Sequence, residues 1–110
     1  MNSISFVTLL ILFYLAQPEI IEEDPFHSME RAIDSELILP CVANGIPQVT
    51  YNWFFNAAPL DDIKTREIEI HQGTLKIPKL MKHHQGFYQC LAHNQHGEDL
   101  KTIYVTVVGK

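Results

Sequence analysis

Apolar and polar residues alternate along much of the chain after residue 18, and a period of two is typical of half-buried β-strands. Over residues 35–44 the alternation places Leu37, Leu39, Cys41 and Ala43 on one face. Gly, Pro and Asn separate the alternating segments, and no segment shows the period of an amphipathic helix. Further strands are predicted over residues 19–24, 49–55, 64–70, 86–93 and after Gly97, with a hairpin arm beginning at Gly73. About seven or eight short strands predict an all-β, two-sheet sandwich.

The amino-terminal residues depart from this pattern. Phe6 to Ala16 is an uninterrupted apolar run, and no charged residue precedes Glu19. The run is too short to span a bilayer comfortably and is typical of a secretory signal, with an uncleaved anchor as the alternative; a buried first strand fits less well, because nothing in the run alternates. We predict a signal peptide over residues 1–17 and one domain over residues 18–110. No second run of spanning length follows, so we expect a secreted, extracellular protein without a membrane span.

The chain has two cysteines, Cys41 and Cys90, and one tryptophan, Trp53. The thiols serve one bond or none, and they are too far apart in sequence for a Cys-x-x-Cys metal pair. A long-range disulfide is the economical interpretation, and closing a loop of about 50 residues would stabilise a small domain by roughly 4 kcal/mol. Tyr88 lies two residues before Cys90 and therefore shares its face on a strand. These four side chains can meet in one core.

Around these residues the chain resembles the immunoglobulin superfamily. The matching positions are Cys41, Trp53, Tyr88 and Cys90, within the motif Gly86-Phe87-Tyr88-Gln89-Cys90. The flanking segments resemble the I-set subclass and modules of neural cell-adhesion molecules; they are residues 39–47, Asn56 with Pro59-Leu60, residues 73–77 and residues 92–97. The resemblance implies an immunoglobulin-like, I-set sandwich with Greek-key topology, a disulfide joining the two sheets, a tryptophan packed on it and a tyrosine corner at Tyr88.

One position departs from the family pattern. Two residues before Gly86 the family usually has an aspartate, which pairs with a basic residue at the start of the fourth strand. The candidates for that base are Lys64 and Arg66, but the aspartate is replaced by His84, a residue that is mostly neutral near pH 7. The departure puts the usual pair in doubt but not the fold, because exposed ion pairs contribute only about 0–1 kcal/mol.

A candidate interface follows from the alternation. If Trp53, Cys90 and Val105 face the core, the residues between them on the same strands face outward. Aromatic and aliphatic side chains grouped on one sheet face are typical of a contact surface, and the resemblance agrees, since family members commonly associate through this face. Scattered exposure of apolar residues is the alternative. The predicted interface consists of Phe54, Phe87, Gln89, Leu91, Thr102 and Tyr104.

Candidate chemistry is scarce. The histidines most suggestive of a metal site are His83, His84, His93 and His96. We interpret them as surface turn residues, because ligation needs three or four donors that converge on one point. Ser28 and Ser35 lack the glycine-flanked elbow of a nucleophilic serine, and both cysteines are assigned to the core. We therefore expect no enzyme activity, no metal site and no cofactor.

Charge is uneven along the chain. Residues 1–62 contain nine acids and one base, whereas residues 63–110 contain four acids and seven bases, and the formal net charge is −5. An acidic chain does not suit nucleic acid as a partner. Lys76, Lys79 and Lys82 nevertheless form a local basic group. A solvated sheet edge is the simpler interpretation, and a docking site for an acidic protein or a sulfated glycan is the alternative.

The leading functional hypothesis is protein–protein recognition by a secreted single immunoglobulin-like domain, in cell adhesion or cell-surface signalling. The partner would be a cell-surface receptor or a second copy, and a homodimer through the outward face is one outcome. The alternative is a soluble modulator or immune factor that binds glycans or microbial surfaces through Lys76, Lys79 and Lys82. A structural spacer, which predicts a strict monomer, is a third hypothesis.

Overall fold

The computed structural model describes residues 18–21, 26–45, 48–60 and 67–109. The predicted signal peptide therefore lies outside the described residues. The strands in chain order are β1 (Glu19–Ile20), β2 (Phe26–Ala32), β3 (Leu37–Pro40), β4 (Ala43–Asn44), β5 (Thr50–Phe55), β6 (Ala58–Pro59), β7 (Glu69–His71), β8 (Thr74–Ile77), β9 (Gly86–Asn94) and β10 (Gly97–Val108). A short 3₁₀ helix, η1 (Lys82–His84), lies between β8 and β9.

The strands form the predicted all-β sandwich. One sheet has five strands in the order β2-β10-β9-β5-β6, the other has three in the order β3-β8-β7, and β1 pairs with β4. The β2–β10 pair is parallel and the remaining pairs are antiparallel. β1 and β2 therefore belong to different sheets, since β1 pairs with β4 and β2 pairs with β10.

The core lies between the two larger sheets and contains the residues that alternation directed inward. Leu37, Leu39 and Cys41 are buried at the end of one sheet, and Ile103, Val105 and Val107 are buried on the other. Cys41 and Cys90 are joined by a disulfide with a Cα–Cα distance of 6.5 Å. Trp53 is 1% exposed and lies directly opposite Cys90 in the β5–β9 register, so the indole and the cystine share one layer of the core.

Two features of the fold were not predicted. Strand β2 has the sequence Phe-His-Ser-Met-Glu-Arg-Ala, which is too polar to show a clear apolar alternation. It forms because its backbone pairs with β10 along seven residues, from Phe26 to Ala32. Lys101 is 1% exposed, and its Nζ donates a hydrogen bond to the backbone oxygen of Pro40 at 2.8 Å. Alternation from Ile103 would have placed this lysine inward.

Candidate recognition face

The predicted interface residues lie together on the outer side of β5, β9 and β10. The register places Gln89 between Phe54 of β5 and Thr102 of β10, and it places Phe87 opposite Tyr104. Alternation along β10 adds a residue that the sequence analysis missed, Leu100, which lies directly opposite Leu91. We name this surface the aromatic face. It consists of Phe54, Phe87, Gln89, Leu91, Leu100, Thr102 and Tyr104.

The aromatic face is less exposed than alternation alone suggested. Phe87 is 47% exposed and Leu100 is 42% exposed, while the other members are half-buried. The rings of Phe87 and Tyr104 are 4.7 Å apart and meet edge to face at 64°. Gln89 Nε2 donates a hydrogen bond to Thr102 Oγ1 at 3.2 Å. These two contacts hold four of the seven side chains of the face in place before any partner arrives.

A tight hairpin fixes the backbone beneath Phe87. Asn56 and Ala57, between β5 and β6, both have positive φ angles of 48° and 71°. The Asn56 backbone N–H donates to the Phe87 backbone oxygen at 2.8 Å, and Asn56 Oδ1 accepts from the Phe87 N–H at 2.9 Å. Gly86 has φ 154°, and a Cβ at this position would lie 2.6 Å from Asn56 Oδ1. The close approach of the hairpin to β9 therefore needs glycine here.

The corner that precedes β9 contains the histidine singled out by the sequence. Tyr88, fully buried, donates a 2.6 Å hydrogen bond from its hydroxyl to the backbone oxygen of His84, which is the geometry of a tyrosine corner. Burial raises the pKa of Tyr88, so the hydroxyl keeps its proton. His84 is 3% exposed, so its assignment as a surface turn residue is wrong.

The hydrogen bonds of His84 fix its tautomer. The backbone N–H of Met81 donates to His84 Nδ1 at 2.8 Å, so in the neutral ring the proton is on Nε2. This Nε2 is buried, and Glu67 Oε1 lies 3.5 Å from it, which is long for a hydrogen bond. Desolvation, together with the neighbouring His83, lowers the pKa of His84, and the Glu67 carboxylate opposes that shift.

The same groups include metal-ligand types but not a ready metal site. One ligand atom from each of Glu67, His83 and His84 lies within 4.8 Å of the others, and the Glu67 carboxylate is 2.7 Å from His83 Nε2. A metal at His84 Nε2 would need a lone pair there, but the Met81 hydrogen bond leaves that atom protonated. The arrangement is instead one carboxylate, that of Glu67, with the imidazole rings of His83 and His84 beside it.

The lysines of the predicted basic group each have a nearby partner. Lys76 lies 3.4 Å from the Glu36 carboxylate, and Lys79 lies 3.9 Å from that of Asp34. Lys82 Nζ donates to the Val107 backbone oxygen at 3.1 Å. These contacts place two carboxylates among the lysines, so the field of the group is weaker than the sequence suggested.

A second apolar surface, which the sequence analysis missed, lies on the outer side of β3 and its continuation. Ile38 and Val42 are 52% and 57% exposed, and Ile21, whose N–H donates to the Val42 backbone oxygen at 2.9 Å, is 56% exposed. We name Ile21, Ile38 and Val42 the aliphatic stripe. The signal was the same alternation that placed Leu37, Leu39 and Cys41 inward.

Comparison with known proteins identifies the family. A family model for the immunoglobulin domain matches residues 17–94. The chain belongs to the immunoglobulin domain family. It is 35% identical to contactin-4 of Homo sapiens over 97 residues, which cover 88% of this chain and 9% of contactin-4. It is 33% identical to protein sidekick-2 of Mus musculus over 100 residues, which cover 87% of this chain and 4% of sidekick-2.

Solved structures agree with this assignment. The structure of Sidekick-1 immunoglobulin domains 1–4 matches with a TM-score of 0.77 and 29% identity, over 84% of this chain and 24% of that one. The predicted immunoglobulin-like sandwich of the cell-adhesion type is therefore confirmed. The chain corresponds to a small part of each of these longer relatives. Among the described residues, no helix is long and apolar enough to cross a membrane.

Position 84 departs from the family pattern, in which an aspartate pairs with a base. The bases considered for that pair, Lys64 and Arg66, lie outside the described residues. Among the described residues, the charged group beside His84 is the carboxylate of Glu67. His84 thus lies at the corner, and the Glu67 carboxylate lies before β7.

Proposed function

We propose that this immunoglobulin domain acts outside the cell by protein–protein recognition, in adhesion or cell-surface signalling, and that its aromatic face is the contact surface. The observation that carries the proposal is the packing of Phe87 on Tyr104 at a sheet surface where Phe87 is nearly half exposed. An aromatic side chain that is held in place and open to solvent is the usual centre of a binding surface, because docking then costs little conformational entropy.

The secretory address is part of the same proposal. The disulfide between Cys41 and Cys90 is of the kind that forms in oxidising compartments. The apolar run before Glu19 has the composition of a signal sequence. Mass analysis of the protein made in a secretory host should show the mature chain beginning after residue 17. Retention of residues 1–17 on a membrane-bound product would favour the anchor instead.

Support for the glycan-binding alternative is weaker. Sulfated glycans are held by several cations that point the same way. Here Lys76 and Lys79 lie beside carboxylates and Lys82 contacts a backbone oxygen. We therefore assign these lysines to the solvated surface of the sandwich, and the proposal does not use them.

The test compares two substitutions of similar exposure on opposite sheets. Phe87→Asp places a charge in the aromatic face, and Ile38→Asp places one in the aliphatic stripe. A tetramerised form of each variant is applied to a panel of cultured cells, and bound protein is measured by flow cytometry. We expect Phe87→Asp to lower binding at least tenfold and Ile38→Asp to leave it within twofold, because a buried charge at a contact centre is costly.

Thermal melting shows whether both variants remain folded. The proposal is wrong if folded Phe87→Asp protein binds like the unmodified protein, or if Ile38→Asp has the larger effect. A third variant, Phe54→Asp, probes the half-buried edge of the same face and should give an intermediate loss.

A further inference from the structure

Among the described residues, the formal charges on the outer side of the five-stranded sheet are all negative. Among its described outward-facing residues, the formally charged side chains are Glu30 of β2 and Glu98 near the start of β10, and both are exposed. They lie on opposite sides of the aromatic face, since β2 is the edge strand and Glu98 is paired with His93 near the end of β9. The apolar centre of the face therefore has an anionic rim.

The lysine and arginine side chains that the structure describes near this sheet do not point onto the aromatic face. Lys101 is directed into the core. Arg31 belongs to the other side of β2, and its Nη1 donates to the Glu30 backbone oxygen at 2.8 Å. His93, which is paired with Glu98, has its Nε2 2.6 Å from Asn52 Oδ1. The exposed lysines Lys76 and Lys79 lie beside carboxylates of the other side of the sandwich.

The negative charge around the aromatic face limits which proteins can dock there. A two-fold dimer through the aromatic face would bring the face onto a copy of itself. The described rim offers Glu30 and Glu98 to such a copy but no lysine or arginine, and the whole chain has a formal charge of −5. Like charges brought together at an interface disfavour the complex, whereas opposite charges at a rim select the partner and speed association. Self-docking is thus disfavoured by the rim even though the centre is apolar.

We infer that the aromatic face recognises a different protein, one whose contact surface has an apolar or aromatic centre and lysine or arginine side chains at its rim. This inference rests on the proposed function, and it replaces the homophilic dimer among the outcomes that the sequence left open. The apolar centre supplies the contact, and the carboxylates of Glu30 and Glu98 decide which partner is accepted.

The protein itself supplies a defined probe for this inference. The double variant Glu30→Lys, Glu98→Lys has the same apolar centre and a cationic rim, so it has the chemistry that we assign to the partner. Sedimentation of unmodified protein, of the variant and of an equimolar mixture is measured at low and at physiological salt. We expect each protein alone to remain monomeric. The mixture should associate at least tenfold more tightly than either protein associates with itself, and this association should weaken as salt screens the charges of the rims.

A matched control separates rim charge from overall charge. Glu36→Lys, Glu69→Lys changes the formal charge by the same amount at exposed positions just before β3 and in β7, on the sheet opposite the aromatic face. Its mixture with unmodified protein should remain monomeric. Association of the control mixture equal to that of the rim variant would overturn the inference.

The remaining outcomes distinguish the two proposals. If unmodified protein self-associates and Phe87→Asp abolishes the dimer, the aromatic face is a recognition surface but its partner is a second copy, and this inference is wrong. If the rim-variant mixture remains monomeric, the charge argument is wrong, whereas the cell-binding comparison of Phe87→Asp and Ile38→Asp still decides the proposed function.

Discussion

The aromatic face and the aliphatic stripe are both apolar surfaces of one small sandwich, but they are built differently. Ile21, Ile38 and Val42 of the stripe are more exposed than Phe87 or Leu100 of the face. The aromatic face has fewer open side chains, yet Phe87 packs edge to face on Tyr104 and is backed by a hairpin, and Gln89 is hydrogen-bonded to Thr102. Exposure alone would therefore have selected the stripe.

The difference teaches that order, and not exposed area, distinguishes the candidate interface. A flexible aliphatic side chain loses rotamer freedom when a partner covers it, whereas an aromatic ring that is already held loses little. Single exposed aliphatic residues are also common on protein surfaces and need no functional explanation. The predictions below test whether the supports beneath the aromatic face are what separate it from the stripe.

The largest effect is expected from the cystine, because it joins the strands that carry the two surfaces. Val42 of the stripe follows Cys41 directly, and Gln89 and Leu91 of the face flank Cys90. The double variant Cys41→Ala, Cys90→Ala should lose about 2–5 kcal/mol of unfolding free energy in urea titrations. That loss is a large fraction of the stability of a small domain, so both surfaces should be lost together. A variant that melts like the unmodified protein would show that packing around Trp53 alone holds the sheets.

A smaller and more local effect is expected at Gly86. Gly86→Ala forces a Cβ to within 2.6 Å of Asn56 Oδ1 at a φ of 154°, so the hairpin must move away from β9. We expect a loss of about 1–3 kcal/mol and a lower affinity of the aromatic face, because Phe87 shares its hydrogen bonds with Asn56. The stripe should be unaffected.

The same hairpin offers a control substitution that should not reduce the free energy of unfolding. Ala57 has φ 71°, a region that glycine occupies without strain, so Ala57→Gly should be neutral or slightly stabilising. Urea titration of both variants tests the pair. Equal stability of Gly86→Ala and the unmodified protein would mean that the hairpin does not hold the face in position.

Much of this architecture could be predicted from sequence, because alternation is a property of the backbone. Once Trp53 and Cys90 were assigned to the core, alternation along the strands placed their neighbours Phe54 and Leu91 on the outer side of the sheet, without any knowledge of packing. The same rule, applied one step further, would have found Leu100. The sandwich itself followed from the number of short alternating strands, and its immunoglobulin type followed from the family resemblance around the cysteines, the tryptophan and Tyr88.

The remaining features depend on contacts between distant segments. Strand β2 is defined by its pairing with β10, and its own residues show little apolar pattern. His84 is buried because η1 folds over the end of the core, and its partner Glu67 is 17 positions away in the chain, which no local pattern indicates. The exposed fraction of Phe87 depends on how closely Tyr104 packs against it.

The smallest expected effect is a pH dependence at the corner that supports β9. The ordinary pKa of histidine, 6.5, applies to the unfolded chain, and burial lowers the pKa of His84 in the folded protein. The unfolded state therefore binds this proton first as pH falls. The contribution of His84 to stability is fully present above pH 6.5 and is lost as the pH falls below 6.5 toward the folded pKa, at no more than about 1.4 kcal/mol per pH unit.

The comparison variant is His84→Gln, which retains an acceptor for the Met81 N–H and does not titrate. Unfolding free energy measured by urea titration between pH 7.5 and about pH 5 should fall more steeply for the unmodified protein than for His84→Gln, because the two proteins differ only at this residue. Parallel curves would mean that His84 accepts a proton without cost, with Glu67 compensating fully. A second measurement asks which surface the corner supports. If binding through the aromatic face falls over the same pH range while Ile38 stays equally accessible, the corner supports the aromatic face and not the aliphatic stripe.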